Sequence, residues 1–128
     1  MNDTPRRVLV AEDDRLLRTA AVSTLRRAGF DVLAAEDGEQ AFTLAAAERP
    51  ELILLDLVMP RVDGFEALRR LKTEPATRDI PVIVLSNLGT GSDQSAATAA
   101  GAAGFFVKAS LSLADLVAEV RTALSKSR

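Results

Sequence analysis

Six polar or charged residues stand where short apolar segments of the sequence end. They are Glu12, Asp13, Asp14, Asp56, Ser86 and Lys108. The apolar segments have the length of strands, and the carboxyl ends of parallel strands gather functional groups in one crevice. Singly, each residue has a plainer explanation, because polar residues commonly follow strands and Asp13 or Asp14 is suited to cap a helix. Carboxylates from separate segments together with an ammonium group indicate a site.

Three carboxylates in one crevice would repel one another strongly. Two like charges about 4 Å apart repel by about 4 kcal/mol at an effective dielectric constant of about 20. The three pairs formed by Glu12, Asp13 and Asp56 would therefore cost on the order of 10 kcal/mol. Compensation must come from protons, from Lys108 or from a cation, and oxygen ligands that leave room for water suit Mg²⁺ or Mn²⁺. The pattern indicates metal-dependent phosphate chemistry.

That chemistry assigns a role to each residue. Asp56 stands alone at its strand end and is the candidate nucleophile, since a carboxylate can form an aspartyl-phosphate. The predicted metal ligands all offer oxygen; they are the carboxylates of Glu12, Asp13 and Asp56 and the backbone carbonyl of Val58. Lys108 would hold the phosphoryl oxygens from the other side. Ser86 would donate its hydroxyl to a phosphoryl oxygen, although alone it is better explained as an ordinary strand end.

The composition narrows the remaining classes of protein. The chain has no cysteine and no histidine, which excludes disulfides, the usual zinc sites and histidine-based catalysis. Its net charge of −2 argues against direct contact with nucleic acid. No apolar segment approaches the roughly 20 residues of a membrane span, and residues 1–7 have no signal-peptide core. We expect a cytoplasmic protein without a membrane or nucleic-acid partner.

Strands and helices must alternate to place these groups at one edge. Apolar segments predict strands at 7–11, 52–55, 82–85 and 105–107, with a weaker candidate at 31–35, and segments of helical periodicity lie between them. This order predicts one α/β domain over residues 1–128, with loose termini at 1–5 and 126–128 and helices on both faces of a parallel sheet. The helix predicted at 92–102 has mostly small side chains, which makes it a candidate mobile element.

With these residues and elements in place, nearly the whole chain resembles the receiver domain of two-component response regulators. The resemblance depends on the acidic pair in VLVAEDD, on LLDLVMPRVDGFE, and on VIVLS followed by GAAGFFVKA. Within the second segment, the motif D-x-x-M-P-x-x-x-G falls on Asp56, Met59, Pro60 and Gly64. This motif is highly specific when it follows an apolar strand and precedes a helix.

The resemblance implies a fold and a partner. The fold would be the flavodoxin-like (βα)5 arrangement, three layers with a five-stranded sheet in the order 2-1-3-4-5. Asp56 would accept a phosphoryl group from a phosphohistidine on a sensor histidine kinase or a phosphotransfer protein. Ser86 and Phe105 would form the switch pair and alter binding of a downstream protein target through the face formed by the fourth helix, fifth strand and fifth helix.

Two departures from the family pattern bear on these expectations. Ala109 stands where receivers usually have a proline after the lysine, and a cis bond before a non-proline residue costs about 2.5–4 kcal/mol. This loop therefore either stores strain or is trans, which changes the reach of Lys108. Between Asp79 and Lys108 the only charged residue is Asp93, so we expect a monomer or weak dimer rather than the family's salt-bridged dimer. Because no output domain follows residue 128, we expect either a stand-alone receiver or a fragment of a longer protein.

Three other functions compete with a phosphorylation switch. A receiver-like scaffold that binds partners without phosphorylation remains open because of Ala109, although the acidic residues are intact. A haloacid-dehalogenase-type phosphatase needs a second carboxylate two residues after the nucleophile, where this chain has Val58. A flavodoxin-type flavin carrier is the poorest fit, because the acidic segment after the first strand would repel a phosphate.

We predict that the phosphoryl group on Asp56 is long-lived. Val58 lies two residues after Asp56 and Leu88 two residues after Ser86, and both are apolar where many relatives carry groups that orient an attacking water. Without such groups, hydrolysis of the aspartyl-phosphate should be slow. Mass spectrometry of phosphorylated protein in Mg²⁺ should show the label retained for minutes or longer, whereas its loss within seconds would contradict the prediction.

Overall fold

In the part of the chain that the structure describes, five strands alternate with five α-helices. The computed structural model describes residues 5–57, 64–86 and 91–126. The strands are β1 (Arg7–Ala11), β2 (Asp31–Ala35), β3 (Leu52–Asp56), β4 (Val82–Ser86) and β5 (Gly104–Val107). The helices are α1 (Arg15–Arg27), α2 (Gly38–Glu48), α3 (Gly64–Thr73), α4 (Gly91–Ala99) and α5 (Leu113–Lys126), with a 3-10 turn at Lys108–Ser110. Within the described ranges, no helix is long and apolar enough to cross a membrane.

The strands form one parallel sheet in the order β2-β1-β3-β4-β5. The predicted flavodoxin-like architecture and strand order are therefore confirmed. β1 and β3 lie in the middle of the sheet, where Ala11 is in register with Leu55. At the end of β3, Asp56 is in register with Leu85 of β4. This arrangement sets the carboxyl ends of β1, β3 and β4 side by side.

The sheet separates two hydrophobic cores. Leu52 and Leu54 of β3 belong to a core that contains residues of α1 and α5. Ile53 and Leu55, the alternate residues of the same strand, belong to a core that contains residues of α2, α3 and α4. Both faces of β3 are buried, which explains why its sequence is continuously apolar rather than alternating.

The ends of the elements follow local signals, with four shifts from the predicted bounds. β5 begins at Gly104, one residue earlier than expected. β3 and β4 each extend one residue further than expected, so that Asp56 and Ser86 are the last residues of their strands. The helix predicted at 92–102 is shorter, Gly91–Ala99. Gly101 has a φ of +107°, a left-handed conformation that a helix cannot continue through and that glycine adopts without strain.

α4 is weakly anchored to the rest of the molecule. Among residues 93–99, only Ala97 is buried. By contrast, α3 buries Ala67, Leu68 and Leu71 in the same core. Because hydrophobic stabilisation grows with buried apolar area, α4 gains less from packing than α3 does. The small side chains in the sequence of this helix predict a small buried apolar area, and the structure shows one.

Gly64 allows the start of α3 to lie directly against the end of β3. Its N–H donates to the carbonyl of Leu57 at 2.9 Å. A Cβ at this position would lie 2.2 Å from the Cα of Leu57 and 2.6 Å from the carbonyl oxygen of Asp56. Since these are backbone atoms of a buried strand end, they cannot move aside as a flexible side chain could. The glycine of the recognised motif is therefore required by a close backbone approach next to Asp56.

We predict that Gly64→Ala lowers the free energy of unfolding by about 3 kcal/mol or more, since overpacking against fixed atoms is among the costly substitutions. Gly104→Ala is the matched control, because its Cβ would meet the Phe106 ring at 3.5 Å, an ordinary contact. It should change stability by no more than about 1 kcal/mol. Urea unfolding of both variants checks this, and equal effects would contradict the explanation.

Candidate metal centre

Asp56 is a buried carboxylate at the centre of the sheet edge. It ends β3, between β1 and β4, and is 5% exposed. The ammonium of Lys108, just after β5, donates to its Oδ2 at 2.8 Å. Leu57, the next residue, is also buried, so the chain has not reached a solvated loop when Asp56 occurs. Burial disfavours a charged carboxylate unless it is paired, and Lys108 supplies the pairing.

The segment between β1 and α1 is held in a defined shape. The N–H of Glu12 donates to the carbonyl of Ala35 at the end of β2, at 3.0 Å. Glu12 Oε2 accepts from the N–H of Asp14 at 3.0 Å. Asp14 caps α1, since its Oδ1 accepts from the N–H groups of Leu16 and Leu17. The two explanations left open by the sequence therefore divide between neighbours: Asp14 is a helix cap, and Asp13 stays available to the site.

Glu12, Asp13 and Asp56 converge on one point. Each offers a carboxylate oxygen, and these oxygens all lie within 4.8 Å of one another. Glu12 and Asp56 are buried, whereas Asp13 is exposed and opens the cluster to solvent. Lys108 bridges the two buried members, because its ammonium also lies 2.5 Å from Glu12 Oε1. The proximity predicted from the sequence is present, while the roles of these residues stay predictions.

The cluster has the chemistry that Mg²⁺ requires. All three carboxylates are hard oxygen donors and approach from two separate strand ends, and the exposure of Asp13 leaves that side accessible to water or a phosphate oxygen. A single ammonium cannot neutralise three carboxylates, so negative charge remains for a divalent ion to balance. These residues therefore fit Mg²⁺. Val58, whose carbonyl was predicted as a further ligand, lies outside the described residues.

The electrostatics of the site distinguish Glu12 from Lys108. Burial raises the pKa of Glu12 to about 6, and the nearby charge of Asp56 adds to this effect. The hydrogen bonds from Lys108 and from the N–H of Asp14 oppose the rise without cancelling it. For Lys108, burial lowers the pKa, but hydrogen bonds to Asp56 and Glu12 outweigh it and the pKa is raised overall. Lys108 is therefore a cation at neutral pH.

Lys108 reaches the site through a trans peptide bond. The described residues contain no cis bond, and Lys108–Ser110 form a 3-10 turn closed by the N–H of Leu111 donating to the carbonyl of Lys108. Of the two possibilities raised by Ala109, the relaxed trans form is the one observed. The turn still directs the lysine to Asp56 and Glu12, so the missing proline does not remove the ion pairs.

The predicted switch residues lie beside this cluster. Ser86 is fully buried at the end of β4 and follows Leu85, the residue in register with Asp56. Phe105 is in register with Val84 and packs, partly buried, against the core that includes α4. Ser86 thus stands next to the acidic cluster, and Phe105 stands one strand further along the sheet. Their role as a switch pair stays a prediction, and Leu88 lies outside the described residues.

Arg18 was not singled out from the sequence, yet it contacts the acidic segment. Its Nη1 donates to the carbonyl of Glu12 at 2.9 Å and to that of Asp13 at 3.3 Å. The available signal was weak: an arginine in the first turn of a helix, where a positive charge opposes the helix dipole. Such a placement suggests a specific contact but does not say with what.

Comparison with known proteins supports the same picture. Residues 8–121 match the family model described as the response regulator receiver domain. The response regulator MprA of Mycolicibacterium vanbaalenii is 36% identical over 123 residues, which cover 96% of this chain and 52% of that protein. The transcriptional regulatory protein PdtaR of Mycobacterium tuberculosis is 35% identical over 97% of this chain and 59% of its own length. The chain spans about half the length of these curated relatives.

A solved structure shares the fold. The chemotaxis protein CheY4 of Vibrio cholerae superposes with a TM-score of 0.87 at 26% identity, covering 93% of this chain and 98% of that one. The superposition therefore covers nearly the whole chain rather than one motif.

The raised pKa of Glu12 predicts a pH-dependent stability in Mg²⁺-free buffer. A carboxyl group with a pKa of about 6 when folded and 4.5 as its ordinary value binds more protons in the folded state between those pH values. Its contribution to the free energy of unfolding therefore falls as pH rises from about 4.5 to above 6.

Glu12→Gln should remove that contribution. Urea unfolding at several pH values in EDTA should show wild type losing stability relative to Glu12→Gln across this window. Glu39→Gln, at an exposed glutamate of α2, controls for the loss of a carboxylate in general. A difference between wild type and Glu12→Gln that does not vary with pH would contradict the prediction.

Proposed function

Since the chain belongs to the response regulator receiver domain family, we propose that it is a phosphorylation-dependent switch whose phosphoacceptor is Asp56. Receiver domains are phosphoacceptors of two-component signalling rather than classical enzymes. The observation that carries the proposal is the position of Asp56, buried at the sheet edge, paired with Lys108 and clustered with Glu12 and Asp13. Any chemistry of the domain itself is confined to gaining and losing its own phosphoryl group.

The transfer needs little covalent chemistry from the protein. A carboxylate oxygen of Asp56 attacks the phosphorus of a phosphohistidine; the new O–P bond forms as the P–N bond breaks, and the imidazole leaves with the electron pair. Bound by Glu12, Asp13 and Asp56, Mg²⁺ would neutralise phosphoryl oxygens. Lys108 holds a positive charge within hydrogen-bonding distance of Asp56 and can donate to an incoming phosphoryl oxygen. Positioning and charge compensation are the main contributions.

Exposed leucines beside the site support a protein as the phosphodonor. Leu16 is 82% exposed, Leu17 48% and Leu113 45%, all at the ends of α1 and α5. Leu17 and Leu113 line a small cleft that also contains Glu12 and Lys108. Exposed apolar groups around a phosphoacceptor would not help to bind a small, polar phosphate donor. They would bind an apolar surface of a protein donor. A sensor histidine kinase or phosphotransfer protein fits this surface.

The output is a change of partner binding on the face formed by α4, β5 and α5. Ser86 ends β4, and the segment that follows it leads into α4. Because α4 buries little apolar area, a displacement of Ser86 towards a phosphoryl group can move this helix at low cost. Phe105, partly buried against the same core, would fill the space that Ser86 vacates. The downstream target is a protein recognised by this face.

The scaffold alternative depended on Ala109 displacing the lysine. In the structure, Lys108 contacts both Asp56 and Glu12, so that argument loses its support. The clustered negative charge also favours Mg²⁺-dependent phosphorylation over a metal-free scaffold, because a divalent ion would offset the repulsion between the carboxylates. The expectation of a monomer or weak dimer remains part of the proposal.

The proposed function predicts modification at one residue. Acetyl phosphate with Mg²⁺ should add one phosphoryl group to wild type, detected by intact mass, and none to Asp56→Ala. Beryllofluoride should shift the amide signals of β4, α4 and β5 in wild type alone. Wild type without modification in Mg²⁺, or equal modification of the Asp56→Ala variant, would overturn the proposal.

The same assay separates the two kinds of donor. Leu16→Ser changes an exposed side chain in the first turn of α1 and should leave labelling by acetyl phosphate unchanged. Transfer from a phosphorylated histidine kinase domain should slow severalfold. Equal slowing with both donors would contradict a role of this surface in protein docking.

A further inference from the structure

We propose that Arg18 is a positioning residue for the metal site: it braces the backbone of residues 12–13 so that their carboxylates are held ready for Mg²⁺. The proposal rests on the function given above, since it concerns the same cluster. Arg18 contacts neither Asp56 nor the other carboxylates in the described structure; its contacts are with backbone carbonyls. Its influence on the metal must therefore be indirect.

The brace joins two consecutive peptide groups. Nη1 of Arg18 donates to the carbonyl of Glu12 at 2.9 Å and to that of Asp13 at 3.3 Å. These carbonyls belong to the two residues that precede the helix cap Asp14 and that carry two of the three clustered carboxylates. Fixing both carbonyls fixes the peptide planes on either side of Asp13. The direction in which the Asp13 side chain leaves the backbone is set by those planes.

The rest of the segment is fixed at other points. The N–H of Glu12 is tied to β2, and the side chain of Glu12 accepts from the N–H of Asp14. Asp13 lies between these ties and is exposed. Arg18 is the contact in the described structure that reaches the Asp13 carbonyl from a rigid helix. Without this contact, Asp13 would become ordered only when the metal binds. The entropic cost of that ordering would lower the affinity for Mg²⁺.

The helix gains nothing from a cation at this position. The first turn of α1 contains no acidic residue, and it carries Arg15 and Arg18. Positive charge at a helix N-terminus is unfavourable because the dipole there is also positive. For Arg18 the two charge-assisted hydrogen bonds offset that cost. For Arg15, whose side chain is exposed, no such contact with the two carbonyls exists among the described residues.

Arg15 provides a matched control because charge and bracing predict opposite results. A nearby cation repels Mg²⁺, so removing either arginine's charge alone should leave Mg²⁺ affinity unchanged or slightly tighter. Removing the two hydrogen bonds of Arg18 should weaken Mg²⁺ affinity. The sign of the change in Arg18→Met, compared with Arg15→Met, therefore separates the two effects. Methionine keeps an unbranched side chain of similar helix propensity in both variants while removing the charge and the N–H donors.

The experiment measures Mg²⁺ affinity by calorimetry and backbone exchange without metal. We expect Arg18→Met to raise the Kd for Mg²⁺ about tenfold, the size typical of groups that orient metal ligands. Arg18→Lys, which keeps the charge but lacks the longer guanidinium fork, should also bind weakly. Arg15→Met should keep the wild-type Kd or lower it. In EDTA, amide hydrogen exchange at residues 13 and 14 should speed up in both Arg18 variants and not in Arg15→Met.

The outcomes separate this inference from the proposed function. Wild type that binds no Mg²⁺ would overturn both. Wild type that binds Mg²⁺ and is phosphorylated at Asp56, with Arg18→Met unchanged or tighter in Kd, would overturn the positioning role alone. Equal weakening in Arg18→Met and Arg15→Met would also overturn it, because the effect would then belong to the helix turn rather than to the brace.

Discussion

The ion pairs of Lys108 with Glu12 and Asp56 are the interaction on which the site depends. Both carboxylates are almost fully buried, Glu12 at 7% and Asp56 at 5% exposure, and a buried charge without a partner is strongly destabilising. One ammonium ties the ends of β1, β3 and β5 together and leaves the cluster short of positive charge. That shortage leaves negative charge that a divalent cation would balance under the proposed function. Lys108 thereby reduces the free-energy cost of burying these two carboxylates.

Much of the fold is predictable from the sequence because the buried faces of strands and helices determine where apolar residues occur along the chain. The continuous apolar character of β3 follows from the two cores that Leu52 and Ile53 enter on opposite faces. Two helix ends also carry local signals: the side chain of Asp37 accepts from the N–H of Gln40 at the start of α2, and Gly29, with a φ of +102°, follows the end of α1. The convergence of Glu12, Asp13 and Asp56 was predictable because parallel strands present their carboxyl ends at one edge.

The details that the sequence left open depend on tertiary geometry. Whether Asp13 or Asp14 would cap α1 is decided by where the chain enters the helix, and both choices satisfy the same local rule. The bond after Lys108 is trans, a choice that the residue types alone left open. The raised pKa of Glu12 requires knowledge of its burial, and the contact of Arg18 with two carbonyls requires the path of the backbone. Neither the burial of Glu12 nor the contact of Arg18 produces a periodic pattern of apolar residues in the sequence.

The close approach at Gly64 has a consequence for how this protein can vary. The hydrogen bond from Gly64 to Leu57 joins the two ends of the connection between β3 and α3, so the ends are fixed whatever lies between them. A side chain at position 64 would press on the backbone of Asp56 and Leu57, so this position accepts no residue larger than glycine without a shift next to the acidic cluster. Variation is thereby restricted at a residue that carries no functional group, because displacing the start of α3 would displace the backbone of Asp56 with it.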